Sequence, residues 1–351
     1  MKKNIPNGIL IIAVLIFGWL SIDVISQTGF YAHINFELGR NYGGMLGGIL
    51  SFLSIVLIYF TLSLQTESFN RSSFESKFFE LIKYHRANVA EWEHTPPEFK
   101  EEKIVKGRKV FVHIHRQILR ALEELTPFFK NKNLEDIMLP DALNELKRNA
   151  NFISRKIDLM LLQKINIAYM IVFFGVLEEG RRILSKVVKK KYNEEFYEKI
   201  LIHFQNIPVK RECDLDKVKN NTHIKYFGGH QNRLGHYMRH YYQSINYVNS
   251  YKPFKSKYPD KYNYVKMYRA QLSTYEQSVF FFNSLSDLGN VWELDQSNLN
   301  SNDQLITKYN LIKNIPTEFI LDINLNAFYP DVEYERGDKS DNKKILIKNY
   351  K

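Results

Sequence analysis

The 351-residue sequence contains one cysteine, Cys213. A single thiol excludes an intramolecular disulfide and suits a reducing compartment. With no second thiol and no evident base nearby, Cys213 reads as a bystander. The stereotyped chemical motifs are also missing. There is no glycine-rich phosphate loop ending in Lys-Ser/Thr, no HExxH, no paired CxxC and no GxSxG. No cofactor or metal is therefore expected, and any chemistry has to come from a less regular constellation. Internal repeats and alternating apolar–polar runs of strand length are absent too, which predicts an all-α fold. Acidic residues are in the minority, with 38 Asp and Glu against 49 Lys and Arg, a net charge of +11. The first 64 residues carry only +1 of this, so the remainder carries +10. A basic unit of this kind suits anionic lipid or RNA as a partner.

What the sequence does have is long apolar runs near its start. Gly8 to Ile22 is uncharged, and a helix from Asn7 to Ser26 has the length of a bilayer crossing, with Asp23 near the far interface. Gly44 to Leu64 is a second uncharged run. Gly43/Gly47 and Gly44/Gly48 have the small-xxx-small spacing that lets helix backbones approach closely. Val24-Ile25-Ser26-Gln27 is a poor cleavage site, so the first run reads as a span rather than a signal peptide. Lys2 and Lys3 precede the first span, and the loop from Tyr31 to Tyr42 has only Glu37 and Arg40 as charged residues. The positive-inside rule then puts both termini in the cytosol. The expectation is a two-pass protein of the inner (cytoplasmic) membrane, with two N-terminal transmembrane helices followed by a mostly helical cytosolic domain. The lipid bilayer is its first partner. Two helices cannot form a pore alone, so action on the membrane requires a homo-oligomer.

The divisions expected are a membrane anchor over 1–65, a helical cytosolic domain over 66–300 and a C-terminal extension with a polar tail over 301–351. Phe74, Phe78, Leu81, Ile82, His85, Val89 and Trp92 recur in steps of three and four, predicting an amphipathic helix capped by Ser72 or Ser73 and ended by Pro96-Pro97. A second helix is predicted from Gly107 to Leu125, with Val110, Ile114, Ile118, Leu122 and Leu125 on one face. His113 and His115 lie on different faces of it, are a poor metal pair, and read as surface histidines. Pro140 to Lys191 reads as a long helical stretch. Within it Ile167 to Val176 is too short to span a bilayer and reads as a buried core helix. Arg181, Arg182, Lys189, Lys190 and Lys191 form the strongest local basic patch, a candidate for lipid headgroups or nucleic acid. Further helices are predicted over Asn232–Asn249 and Lys261–Leu285. Asp331 to Lys351 reads as a charged tail.

The best candidate for chemistry is the Asn232–Asn249 helix. Arg233, His236 and His240 share one face there, with Arg239 beside the two histidines. Leu234, Tyr237, Tyr241, Ile245 and Val248 form the core-facing stripe. Histidine titrates near neutral pH, and an adjacent arginine stabilises developing negative charge. Arg233 and His240 also match the loose Arg-x(4–6)-His spacing of HEPN-type ribonucleases, although Leu234 stands where those enzymes carry a polar residue. A second constellation is Arg269, Ser273 and Glu276 on one helix face, with Gln271 elsewhere. It reads either as a binding group or as a hydrogen-bond network tying this helix to the Arg239/His240 helix.

At these segments the sequence resembles the phage abortive-infection family typified by the lactococcal AbiC protein. The matching features are Phe78-Phe79-Glu80-Leu81-Ile82, then Leu234-Gly235-His236-Tyr237-Met238-Arg239-His240, then Leu272-Ser273 and Glu276 after Arg269-Ala270-Gln271. The resemblance runs from about Phe74 to Ser286. It implies a role in bacterial defence against phage, in which the infected cell stops growing or dies, and it implies no known reaction. The expected function is thus a membrane-anchored effector whose cytosolic domain senses a phage-derived trigger and halts the host through the membrane. The alternative is a membrane-tethered HEPN-like ribonuclease that cleaves RNA on infection.

Overall fold

The computed structural model describes residues 18–19, 22, 36–95, 104–153, 157–207, 226, 228–252, 258–294 and 304–335. The chain divides into two compact units, Met1–Phe79 and Glu80–Lys351.

Helix α1, Phe36–Ala90, crosses that division without a break. The apolar run from Gly44 and the amphipathic stripe after it are therefore one helix, and no cap interrupts it at Ser72 or Ser73. Both stretches lack proline, so nothing in the backbone stops the helix between them. Among the described residues it is the one helix long and apolar enough to cross a membrane. Phe52, Ile55, Ile58, Tyr59 and Leu62 along it are all more than half exposed. The first expected span, Asn7 to Ser26, lies almost wholly outside the described residues.

The second unit is almost entirely helical. Two short strands are the exception to an all-helical reading: β1 (Glu93–His94) pairs antiparallel with β2 (Val105–Lys106). Two-residue strands leave no alternating pattern for a sequence reading to detect. Gly107, with φ of 61°, turns the chain into α2, Lys109–Phe129. The apolar stripe of α2 is buried as its spacing predicts, with Val110, Ile114, Ile118 and Leu125 at 0% exposure. His115 is buried on the same helix, contrary to its reading as a surface residue. Its Nε2 lies 2.7 Å from the Phe319 carbonyl oxygen, so a polar partner compensates for the burial.

The predicted long helix after Pro140 is three helices. They are α4 (Pro140–Ile153), α5 (Leu159–Phe174) and α6 (Glu178–Val188), preceded by a single turn, α3 (Leu134–Ile137). Asp158 caps α5 by accepting from the Leu161 N–H at 3.0 Å. Gly175 ends α5 with φ of 76°. α5 is the core helix expected from its composition. It is apolar all round, has ten consecutive-to-near-consecutive buried positions from Gln163 to Phe173, and makes its most extensive pairing with α2. α7 (Glu194–Asn206) packs against α2.

Gly228 and Gly229 then bring the chain back across the end of α5. Val176 N–H donates to Tyr226 O at 2.9 Å and His230 N–H to Val172 O at 3.1 Å. Gly229 lies directly on the Phe173–Phe174 backbone, where a β-carbon has no room. This crossing launches α8, Gln231–Ser250. The predicted Lys261–Leu285 helix is two helices, α9 (Tyr258–Arg269) and α10 (Thr274–Ser284), joined by a turn over Ala270–Ser273.

Residues 304–335 pack into the same core. α11 (Leu305–Tyr309), a 3-10 turn (Thr317–Ile320) and α12 (Leu325–Phe328) bury Ile306, Tyr309, Leu311, Ile312, Ile320 and Phe328. Each such side chain is worth roughly 1.5–3 kcal/mol of burial, so this segment is part of the folded unit. The charged stretch expected from Asp331 is anchored at its start, where Val332 is buried and Glu333 N–H donates to Asn310 Oδ1 at 2.8 Å.

Candidate functional site

Helix α8 divides the proposed basic–histidine face into an outer and an inner pair. Leu234, Tyr237, Tyr241, Ile245 and Val248 are all buried, as the stripe predicts. That fixes the rotation of the helix. His236 and Arg239 are exposed, and the Arg239 Nε donates back to Gly235 O at 3.0 Å. Arg233 and His240 are half-buried. The Arg233 guanidinium donates to the Glu93 carbonyl of β1. Six residues lie between Arg233 and His240, a rise of about 10 Å along the axis. The two side chains have separate partners, the Glu93 carbonyl for Arg233 and the His85 ring for His240.

His240 faces inward to a buried aromatic group. Its ring stacks on His85 of α1 at 5.7 Å, with 28° between the planes. His85 in turn touches Tyr237 at 4.7 Å and Tyr268 at 5.1 Å, and Tyr241 stacks on Tyr268 at 5.4 Å. The Nε2 atoms of His85 and His240 are buried and find no hydrogen-bond partner among the described residues. Burial, and secondarily His240 and Arg108, push the His85 pKa down to about 3. Burial also lowers that of His240. Both imidazoles are therefore held neutral near pH 7. His85 is a residue that the sequence reading placed only in an apolar stripe.

A second imidazole group lies at the start of α8. His230 is buried, and its Nε2 sits 2.7 Å from Gln117 Oε1. His94 lies 4.9 Å from His230 and 6.3 Å from His113, ring to ring. Among the described residues no group of three or more His, Cys, Asp or Glu is placed to hold a metal ion. Burial, with Arg233 and His113 beside it, lowers His94 to about 4. A cation at that position opposes further positive charge.

The second constellation is internal framework. Arg269 is buried and donates from Nη1 to the carbonyl oxygens of Tyr309 and Asn310, at 2.8 and 2.7 Å. It ties the C-terminal segment to α9. Glu276 is fully buried and closes a capping box on α10, accepting from the Ser273 N–H at 2.7 Å. Its other contacts are the Tyr237 hydroxyl at 3.4 Å and the Arg108 guanidinium at 3.7 Å. The network joining this region to α8 therefore runs through Tyr237 rather than through His240. Gln271 contributes its backbone oxygen, which accepts from Arg108. The Ser-x-x-Glu spacing was the sequence signal for the helix start that the uninterrupted-helix reading passed over.

The basic patch is also divided. Arg181 is tied to Gln205 at 3.1 Å and Glu198 at 3.4 Å, and Lys191 to Asp287 at 2.7 Å. Arg182, Lys189 and Lys190 remain exposed.

The fold thus defines a class first: an α-helical unit joined to one apolar, membrane-length helix. A more particular finding follows from comparison with known families. Residues 229–320 match the family model described as "Putative phage abortive infection protein". No curated protein and no solved structure matches the chain. The match bears out the family resemblance read from the sequence. It includes the Leu234–His240 and Arg269–Glu276 segments and runs past Ser286 into the packed C-terminal segment, while Phe78–Ile82 lies outside it. It spans α8 to the 3-10 turn at Thr317–Ile320, the stretch in which Arg269 and Glu276 organise the interior.

Proposed function

We propose that this chain is a membrane-anchored effector of abortive infection that acts through the bilayer. The observation that carries the reading is α1, which is long enough to cross and keeps Phe52, Ile55, Ile58, Tyr59 and Leu62 exposed. Exposed side chains of this size have water as a poor solvent and lipid as a good one. The family match over 229–320 supplies the biological setting. In this reading the inner membrane holds two spans per chain, with both termini cytosolic, and the basic unit lies near the anionic inner leaflet. A phage-derived trigger binds the folded unit, and copies of the chain assemble so that their spans change packing and disturb the membrane.

The test is membrane potential in cells challenged with phage, comparing the full chain with one lacking residues 1–65 at matched expression. The expected result is protection and depolarisation with the full chain and neither without the spans. Full protection by the truncated chain would overturn the reading. Labelling of single cysteines placed in 31–42 and after residue 335, in a Cys213→Ser background, checks the orientation. The loop should react from outside the cell and the C-terminus only after permeabilisation.

A further inference from the structure

The folded unit contains a cleft of about 360 Å³ between α4, the start of α5, the end of α6 and the turn after α10. This volume is in the range of small-molecule sites. None of the residues singled out on α8 lines it. Its walls are apolar, formed by side chains such as Leu146, Leu159, Leu162 and Leu294.

The floor is polar and built in advance. Asn166 and Gln163 are each 1% exposed. Asn166 Nδ2 donates to Asp287 Oδ2 at 2.9 Å, and the Asp287 N–H donates to Asn166 Oδ1 at 2.9 Å. Tyr192 accepts from Asn166 at 3.0 Å and donates to Gln163 Oε1 at 2.8 Å. Lys191 holds Asp287 Oδ1 at 2.7 Å. This network fixes every member in place. It also decides what remains for a ligand. The Gln163 oxygen is taken and its side chain is sealed beneath the network, so the groups left facing the cleft are the remaining N–H groups of Lys191 as donors and a second lone pair on each Asp287 oxygen as an acceptor. An adjacent donor and acceptor between apolar walls match the hydrogen-bonding edge and the apolar faces of a planar heterocycle.

The rim is charged. Lys190 lines the cleft and also an adjoining hollow that Arg148 shares. Neither cation has an ion-pair partner among the described residues. Lys147, also in the hollow, is engaged by Glu135 at 2.8 Å. Glu145 and Asp141 lie on the same rim and offset part of the positive charge. A single phosphate suits that balance better than a polyphosphate does.

We infer that this cleft is a binding site for a nucleoside monophosphate, with the base on the Lys191/Asp287 floor and the phosphate at Lys190. The site stands apart from the membrane reading, and either can fail without the other.

The test uses the full chain in detergent and calorimetric titration with AMP, GMP, CMP and UMP, each against its parent nucleoside and inorganic phosphate. At least one nucleotide should bind with Kd below about 1 mM. Its nucleoside and Lys190→Ala should each weaken binding about tenfold, the effect of one charge-assisted contact. Lys190 is exposed, so this variant should fold normally. Ala142 lines both spaces, and Ala142→Trp should fill the cleft and abolish binding, with the unliganded melting temperature as its folding control. Absence of binding by all four nucleotides overturns the inference. So does equal binding of nucleotide and nucleoside, equal competition by inorganic phosphate, or retained affinity in a folded Ala142→Trp protein.

Discussion

Arg269 and Glu276 show how a charged residue within a family-matched segment can serve the interior. The Arg269 guanidinium satisfies two backbone carbonyls that have left their helix at the end of α11. Arg269→Ala removes both bonds and leaves buried acceptors without donors, a loss of about 3 kcal/mol. Urea denaturation should report that loss. Hydrogen exchange should place the loosening in 304–335 first, and Arg269→Lys should recover only part of it because an ammonium cannot present the guanidinium fork. His85 gives a pH prediction. Its folded pKa is about 3, below the ordinary histidine value of about 6.5. Above pH 6.5 both folded and unfolded chains hold it neutral, and its contribution is fully present. As pH falls from 6.5 towards 3 the unfolded chain takes up the proton and the folded one does not, so stability is lost. The slope from this residue is at most about 1.4 kcal/mol per pH unit. Melting temperature should fall across pH 6.5 to 4, and His85→Phe, apolar and ring-shaped among Tyr237, Tyr241 and Tyr268, should flatten that fall. An unchanged acid slope in the variant would remove His85 as its source.

At the scale of elements, periodicity made legible what periodicity determines. The stripes of α2 and α8 and the apolar composition of α5 are enough to predict burial, because a helix exposes a repeating face and the core selects it. Boundaries were less legible. The Ala270–Ser273 turn contains neither glycine nor proline, and its only mark is the Ser273–Glu276 capping box. The Asp158 cap and the Gly175 end of α5 lie inside a stretch whose average composition is helical. Least legible were contacts between distant segments, such as His115 with Phe319 or Asn166 with Asp287, since no local pattern records them. In the candidate site, the α8 stripe fixed which side chains face out. It could not show that His240 meets His85, because α1 and α8 are far apart in sequence. The α1 reading makes its own prediction at this scale. In a chain beginning at residue 30, α1 is the one helix among the described residues long and apolar enough to cross a bilayer, and the protein should remain in the membrane fraction. Ile55→Lys with Ile58→Lys in that chain should release it, since each lysine near mid-bilayer costs about 3 kcal/mol. Retention after alkaline carbonate washing would mean that α1 is not the anchor.

For the whole molecule, the question is whether harm to the infected cell passes through RNA or through the membrane. A metal-independent RNA cleaver needs its arginine and histidine to converge on one phosphate. Here Arg233 is held by the Glu93 carbonyl, and His240 turns its Nε2 into protein. The exposed members, His236 and Arg239, lie three positions apart on the surface of α8. The net charge of the chain, +11, attracts RNA and anionic lipid alike, so charge does not decide the matter. Action through the bilayer, as proposed, leaves RNA uncut. Total RNA from phage-challenged, protected cells should therefore stay intact while membrane potential falls. His240→Ala should keep protection in proportion to the folded protein it yields, because the bilayer reading leaves His240 only its packing on His85. Discrete RNA cuts that appear with the wild-type chain and vanish with a fully folded His240→Ala protein would reverse this conclusion. The spans would then be a tether for a nuclease.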